Sequence, residues 1–487
     1  MTPETFNAWL LEDAVERVVL VEAMADKGLG VDEPVYLSTS AYITLDTDVP
    51  ANTAYLPAIT DVTPVKESLS LEANATLSMG SIEVSNHEGD LDEWLNWVFD
   101  GRPVTVSIGS AAWPREDFQV IYKGVVTSLE VSGNDAFNLP ITGSLQRLNG
   151  ALNDQVDADD QTLPLALGEV SNVEPVLIDP ANLVYQVSTR PIGGIIEVRD
   201  RGLPVNFSQN LKNATFQLGA MPFGQVTCSV FGDAGVSGVE HTDEIGPLIR
   251  RLATEFGPDP LSPDEIDYDS FTSFEAANTQ CVGVYVDERE NLLNVLSLLA
   301  RSVGSAVATS ADGRLRIHQL REPSAGASVM TVSPYNMAQD SFRVRSKLDI
   351  LTTFKMGYNR NYSPSAELSA GVPVEHQRLL TEEWRYVTAS DPALVEKYKH
   401  TKEPEAELTA LQVLAESQAE CSRWWSLFSQ QRYIYTFTGF AECLQLQLGQ
   451  DITVEYPRYG FESGKAGLIV ELSKNWLDNT VEVGILV

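Results

Sequence analysis

At 487 residues and 53.4 kDa the chain is too long for one small fold, and about 150 residues per domain gives it room for three or four. An apolar share of 43% with 21% charged residues belongs to a folded chain, since disordered chains combine low hydrophobicity with high charge. Lys and Arg number 33 against 68 Asp and Glu, a net charge of −35, which disfavours tight binding to nucleic-acid phosphate or to an anionic lipid surface.

No apolar stretch approaches the roughly 18 to 20 residues that cross a bilayer, so no stable membrane insertion is expected. The first residues lack the basic-then-apolar order of a signal peptide, and the chain reads as made in the cytosol. Cys228, Cys281, Cys421 and Cys443 contain no C-x-x-C pair, which favours free thiols; an iron–sulfur cluster requires all four to converge.

Thr2-Pro3-Glu4 sets a capping hydroxyl, a first-turn proline and a first-turn acid before Trp9, Leu10, Ala14, Val18 and Val19, and predicts an amphipathic helix. After Gly30 come short β-type runs, Val35 to Leu37 and Ala41 to Thr44, punctuated by Pro50, Asn52 and Pro57. A helical pattern over Asp90 to Phe99 interrupts them, and alternating strands follow at Val104 to Ile108, Phe118 to Tyr122 and Val125 to Leu129, with a less clean run to Leu145. Beyond the acidic loop Asp154 to Asp160, strands are predicted at Ile195 to Val198, Ala214 to Leu218 and Val226 to Val230.

Ile245 to Phe256 has helical periodicity, and a Pro- and Asp-rich loop spans Gly257 to Asp269. Asp287 to Glu290 opens a strong helix whose apolar positions run from Leu292 to Val303 before Gly304 stops it. Val307 to Thr309 and Arg314 to His318 read as a hairpin around Asp312-Gly313. Glu405 to Phe428 is predicted helical, with Leu408, Leu411, Ala415, Cys421, Trp425 and Phe428 on one stripe. Strands then run to the end, including an alternation of Leu444, Leu446 and Leu448.

Two stretches share an order. Gly101 to Val106, then Phe118 to Leu129 and a strand ending near Leu145, parallel Gly449 to Val454, then Gly467 to Leu472 and a strand ending at Val487. Either common β grammar or two copies of one β-barrel produces such a match.

Chemistry-bearing patterns are sparse. Gly460 to Ala466 has three residues between its glycines and an alanine where a phosphate loop needs a hydroxyl, and reads as a hairpin turn. His87, His241, His318, His376 and His400 are scattered without metal-ligand spacing, and neither H-E-x-x-H nor G-x-S-x-G occurs. The loops Asp154 to Asp160 and Asp259 to Asp269 lack the order of a calcium loop and read as solvated acids. Trp94 with Trp97, and Trp424 with Trp425, offer surfaces for sugars or bases, but helical spacing in apolar segments favours core packing. No catalytic, cofactor-binding or metal residue is assigned, and no enzyme activity is expected.

The run from Pro164 through Gly168-Glu169-Val170 to Asp179, Tyr185 to Val187, and Glu197 to Val205 resembles the tail hub proteins of long non-contractile-tailed bacteriophages. Tyr36 to Tyr55, Gly313 to Ile317 and Leu448 to Val454 resemble the same family, so the likeness spans most of the chain. The resemblance implies a β-rich α+β, multidomain chain with two tube-like β-barrels. In those terms it divides into an N-terminal helix (1–30), a first tube-like barrel (31–149), a β-rich insertion domain (150–240), an α+β domain (241–330), and a second barrel (331–487) carrying a helical insertion around 375–431.

It further implies a structural virion protein, a homotrimeric hub at the tail tip or baseplate, assembled in the host cytoplasm. Three chains of two similar barrels make a pseudo-sixfold ring that joins a sixfold tail tube to a threefold tip and forms the channel for genome ejection. The partners implied are distal tail and tail tube proteins, tail-tip fibre or receptor-binding proteins, and transient contact with ejected double-stranded DNA, which a carboxylate-lined lumen would repel. The chain stops at Val487 without the fibre or stalk of many relatives, which weakens an expectation of direct receptor binding. A tail-associated cell-wall hydrolase and a sugar-binding receptor module are the alternatives.

Overall fold

The computed structural model describes residues 2–12, 15–28, 30–72, 75–133, 135–153, 155–156 and 162–487. Contacts divide the chain into two compact units: unit 1 is Met1–Gln146, Ala308–Leu348 and Arg432–Val487, and unit 2 is Arg147–Val307 and Asp349–Gln431. Both are β-rich with helices, as the alternating strand patterns anticipate.

Fifteen strands of unit 1 form one hydrogen-bonded sheet. They are β1 (Val18–Asp26), β2 (Asp32–Ser38), β3 (Ile59–Val62), β4 (Val65–Leu69), β5 (Ala75–Ser85), β6 (Pro103–Gly109), β7 (Gln119–Val126), β8 (Glu130–Ser132) and β9 (Ala136–Gly143). The later ones are β10 (Ser328–Val332), β11 (Arg343–Lys347), β12 (Tyr433–Gly439), β13 (Asp451–Tyr456), β14 (Phe461–Asn475) and β15 (Thr480–Leu486). The main path runs β2-β1-β6-β7-β9-β5-β4-β14-β15-β12-β11.

Alternation decides which face each strand buries. Val104, Val106 and Ile108 of β6, Ile82 and Val84 of β5, and Val481, Val483 and Ile485 of β15 enter one core with Phe437 and Leu472. β1 is apolar on both sides: Val19, Val21 and Ala23 join that core, while Val18 and Leu20 pack with Tyr42, Tyr55 and Phe118 in a second cluster. This is the pattern of a strand covered on both faces. β14 is the long strand; its residues Glu471 to Lys474 pair with Val65 to Ser68 of β4, and at that seam Lys474 Nζ lies 3.7 Å from Glu67 Oε1.

Unit 2 holds a five-stranded sheet in the order Leu203–Pro204, Ile192–Asp200, Val226–Asp233, Leu165–Val173, Gly283–Val286, and a four-stranded sheet from Val176–Asp179, Val184–Gln186, Thr215–Leu218 and Phe207–Asn210. Helices Ile245–Glu255, Tyr268–Ala277 and Leu292–Arg301 follow. A three-stranded sheet of Arg385–Ser390, Thr353–Tyr358 and Glu407–Leu408 accompanies helices Val374–Thr381, Pro392–Tyr398 and Leu414–Phe428.

Several local expectations change. The first helix is Pro3–Leu10, with the Thr2 hydroxyl accepting from Thr5 N–H; Val18 and Val19 start β1 because their valines fill two cores, and Ala14 lies outside the described residues. Only one 3₁₀ turn, Asp92–Asn96, forms within Asp90 to Phe99. The strong helix begins at Leu292, capped by Asn291 Oδ1 accepting from Leu293 N–H, so Asp287 to Glu290 precede it.

The helix expected over Glu405 to Phe428 begins only at Leu414. Glu407–Leu408 instead pair in parallel with Met356 and Gly357, and the Thr409 hydroxyl donates to Gly357 O. Cys421 and Phe428 of the predicted stripe are buried, while Trp424 in place of Trp425 turns inward with Ser417. Leu444, Leu446 and Leu448 are all buried, but in a 3₁₀ turn (Ala441–Gln445) and the loop after it; a period of two in burial also arises where irregular chain crosses a core.

Candidate functional site

The two stretches with matching order follow one path in the sheet. In the first module β5, the 3₁₀ turn Asp92–Asn96, β6, β7 and β9 are laid out as β6-β7-β9-β5. In the second, β12, the 3₁₀ turn Ala441–Gln445, β13, β14 and β15 are laid out as β13-β14-β15-β12. All these neighbouring strands are antiparallel.

The match reaches single hydrogen bonds. Gly101 N–H donates to Val126 O (2.8 Å) and Val126 N–H to Arg102 O (2.9 Å); Gly449 N–H donates to Ile469 O (2.9 Å) and Ile469 N–H to Gln450 O (2.9 Å). The glycines have φ of 72° and 79°, a region that penalises any Cβ, so the same backbone demands the same residue twice. The modules differ at their outer neighbour, since β1 is antiparallel to β6 whereas β10 is parallel to β13.

Each module also carries a strand beyond its last member, β4 on β5 and β11 on β12. The far edge of β4 is occupied by β14, as described. The far edge of β11 pairs with no strand among the described residues, and all five of its residues, Arg343 to Lys347, are exposed. Superimposing the paths places Val126 on Ile469, and therefore Glu130–Ser132 (β8) on 473–475. Among the described residues β8 pairs with β9 on one edge alone.

On the face opposite the main core lies a groove of about 660 Å³. Its wall is built of hydroxyls, among them Ser68, Thr76, Ser78, Thr436, Thr438 and Ser473, with Lys66, Arg343 and Arg345 balanced by Glu67, Glu471 and Glu482. Arg345 is ion-paired with Glu471. The acid surplus of the chain is therefore not concentrated on this wall.

In unit 2, residues far apart in sequence bring three carboxylates to one cysteine, two of them to its thiol. Ligand atoms of Glu169, Asp243 and Cys281 lie within 4.8 Å of one another, the only such grouping among the described residues. The Cys281 Sγ–H points to Asp243 Oδ2 (3.5 Å) and Glu169 Oε2 (3.6 Å), while Cys281 N–H donates to Glu416 Oε2 (2.8 Å). Burial pushes the Cys281 thiol up, and the two carboxylates push the same way, so the thiol is protonated at neutral pH. A metal held here would take oxygen donors first and would have to displace that proton.

Burial also raises the Glu416 carboxyl above its ordinary value, and Asp243 and Glu169 add to this. A raised carboxyl binds its proton better in the folded state, so its contribution to stability is present below the ordinary carboxylate pKa and is lost as pH rises. Glu416→Gln keeps an oxygen for Cys281 N–H and removes the repulsion. It should raise the melting temperature at pH 7 by about 1 °C, from a gain of roughly 0.5 kcal/mol, and leave it unchanged at pH 4. A thermal melt at the two pH values measures this; an equal effect at both would contradict it.

The other sequence candidates are placed apart. All four cysteines are free; Cys228, Cys421 and Cys443 are buried, and Cys421 Sγ contacts the carbonyl oxygens of Phe354 and Val387, as an ordinary small core residue does. His241 Nδ1 faces Gly232 O, His400 the carbonyls of Tyr398 and Ile350, and His87 pairs with exposed Asp135; none joins a metal group. Trp94 and Trp424 are buried, stacked on Trp97 (5.8 Å) and Phe354 (5.9 Å), and Trp97 and Trp425 are half-buried. No tryptophan of the two pairs offers an open platform for a sugar.

The turn assigned to Gly460 to Ala466 closes at Gly460, and the residues after it already belong to β14, with Gly464 (φ 81°) at the bulge facing Val454 and Tyr456. In the Asp259 to Asp269 loop, Arg147 holds Asp259 and Glu265, and Asp267 caps the helix that follows. The Asp154 to Asp160 loop, apart from Gln155 and Val156, lies outside the described residues. The grouping of Glu169, Asp243, Cys281 and Glu416 has no signal in spacing, because four separate elements supply it.

No protein-family model matches the chain, and no curated protein matches it either. Among solved structures the chain is similar to a tail protein from Neisseria meningitidis MC58, with a TM-score of 0.43 and 10% identity over 97% of this chain and 96% of that one. It is also similar to the 43 kDa tail protein of prophage MuSo2 from Shewanella oneidensis, with a TM-score of 0.39 and 13% identity over 96% and 98% of the two chains. A third is a chain from the virion of a native gene transfer agent particle, with a TM-score of 0.41 and 13% identity over 70% of this chain and 90% of that one.

Proposed function

We propose that the chain is a structural protein of a bacteriophage tail: a hub at the tail tip or baseplate in which three copies close a ring around the passage for the genome. The observation that carries this reading is the doubled strand path of unit 1. Each copy would supply two tube-like barrels, so that a threefold ring presents six equivalent positions to a sixfold tail tube. Distal tail and tube proteins above, and fibre or receptor-binding proteins below, are the partners of such a ring, and it works mechanically, without catalysis.

The doubled path also dictates how copies would join. Within one chain the first module's outer strand pairs with the second module through Val65 opposite Lys474. Val65 lies opposite Met79, and Val344 opposite Tyr435; Met79 and Tyr435 face the equivalent residues Ile141 and Ile485, so Val344 is the counterpart of Val65. Val131 is the counterpart of Lys474 through its pairing with Phe137, as Lys474 pairs with Val481. Repeating the intrachain contact between copies therefore sets Val344 against Val131 of the next copy. Both are exposed valines, 40% and 60%, on edges without a strand partner among the described residues, a costly surface unless it is covered. The groove wall, with hydroxyls and balanced charge, gives passing DNA no cationic run on which to stick.

The double variant Val131→Cys/Val344→Cys tests this. Cα atoms of directly opposed strand residues lie about 4.5–5.5 Å apart, within disulfide reach. Mild oxidation should give a covalent ladder that stops at three chains, with either single variant giving none, and the unmodified protein should have the mass of a trimer. A monomeric mass with no ladder would remove the reading.

A further inference from the structure

Unit 2 contains a cleft of about 390 Å³ between the five-stranded sheet and the helix Val374–Thr381. Nothing in the hub reading uses it. Asn172 lines its floor and is 3% exposed. It sits with φ 52° where the pairing of Leu165–Val173 with Val226–Asp233 shifts between Val170 and Val173.

The Asn172 Nδ2 donates to Asn361 Oδ1 (2.8 Å) and Ser363 O (2.9 Å), and its N–H donates to Ser229 Oγ (3.1 Å). Its Oδ1 receives no donor. That oxygen has almost no accessible surface, so Asn172 fixes the floor of the cleft and offers no acceptor to it. Ser229 Oγ already accepts from Asn172 N–H and from Arg199 Nη1 (3.1 Å), which leaves its own proton free to donate. Arg199 is itself ion-paired with Glu197.

The Arg385 guanidinium, also lining the cleft, makes no hydrogen bond or ion pair among the described residues. Burial disfavours its charge, and the carboxylate whose field reaches it, Glu382, is clasped by Arg378 at 2.9 and 3.0 Å. An uncommitted, half-buried guanidinium in a chain of net charge −35 is a site for an anion, and its fork suits a carboxylate. Pro204, Leu379 and Leu380 give the remaining wall an apolar surface.

We propose that this cleft binds a peptide carboxylate on an apolar stem, with the carboxylate on Arg385 and the Ser229 hydroxyl. Two sources share that chemistry: the C-terminal residue of a partner chain, and a glutamate side chain on a partner loop. The proposal stands on the cleft alone and does not depend on the ring.

Titration of the full chain with three probes, followed calorimetrically, tests it: acetyl-Ala-Leu with a free carboxylate, acetyl-Leu-Glu-amide, and acetyl-Ala-Leu-amide. At least one carboxylate probe should bind saturably with millimolar or tighter affinity and the neutral amide at least tenfold more weakly, the better carboxylate probe identifying the source. Arg385→Gln should weaken that probe at least tenfold without changing the melting temperature, and Arg385→Lys should retain part of the binding. Should Arg385→Gln not fold, Leu379→Trp, which fills the cleft from a partly exposed position, should abolish binding in its place. No saturation by any probe up to about 50 mM, equal binding of the amide, or wild-type affinity in the folded variants would overturn the proposal.

Discussion

Lys474→Met should lower the unfolding free energy of unit 1 by about 3–5 kcal/mol. The Lys474 side chain is 9% exposed and that of its partner Glu67 14%, at the seam where β4 joins β14. Removing the ammonium leaves a carboxylate away from water with no opposite charge, and the loss is that of an uncompensated buried ion rather than of a surface pair. Glu67→Leu should cost a similar amount for the mirror reason. The double variant Lys474→Met/Glu67→Leu should return to within about 1 kcal/mol of the parent, because the desolvation cost of both ions disappears together. Guanidinium unfolding of the four proteins closes the cycle; single variants within about 0.5 kcal/mol of the parent would show that the pair is solvated in practice.

Gly283→Ala should cost unit 2 about 3 kcal/mol or more. Gly168 and Gly283 face each other across the antiparallel pair of Leu165–Val173 and Gly283–Val286. A Cβ at 283 would lie 1.6 Å from Glu169 O, and one at 168, where φ is 66°, 2.0 Å from Val282 O. Both obstacles are backbone, which cannot rotate aside as a side chain can. Gly219→Ala is the control, since a Cβ there meets nothing within 4 Å, and it should change stability by no more than about 0.5 kcal/mol. Hydrogen exchange across Leu165 to Gly168 reads the difference: unchanged protection in Gly283→Ala would mean that the strands move apart at little cost.

Those glycines show why part of this chain is legible. Gly168 in the run P-L-A-L-G-E-V, and Gly202 in R-D-R-G-L-P-V, stand where the backbone admits no side chain; a Cβ at 202 would meet Leu368 at 2.8 Å. Gly101 and Gly449 announce the doubled path for the same reason, and the alternation of Val481, Val483 and Ile485 follows from one buried face. What stays hidden is pairing between distant segments. Nothing local says that β4 must meet β14, that β1 rather than a longer helix takes up Val18, or that Glu169, Asp243, Cys281 and Glu416 converge. Arg385 and Asn172 are equally silent, because an orphaned acceptor and an unpaired guanidinium are defined by the absence of neighbours, which only three dimensions reveal.

The pairing of Ser68 with Glu471 also sets a schedule for synthesis. The two residues are about 400 positions apart, so at a translation rate of roughly 5–20 residues per second the ribosome needs on the order of 20–80 s to deliver the second after the first. Throughout that interval β4 is a nascent edge whose partner does not yet exist, while the whole of unit 2, residues 147–307 and 349–431, emerges before β14 does. The charges on this short strand, Lys66 and Glu67, are what guard it from pairing with a neighbouring nascent chain in the meantime.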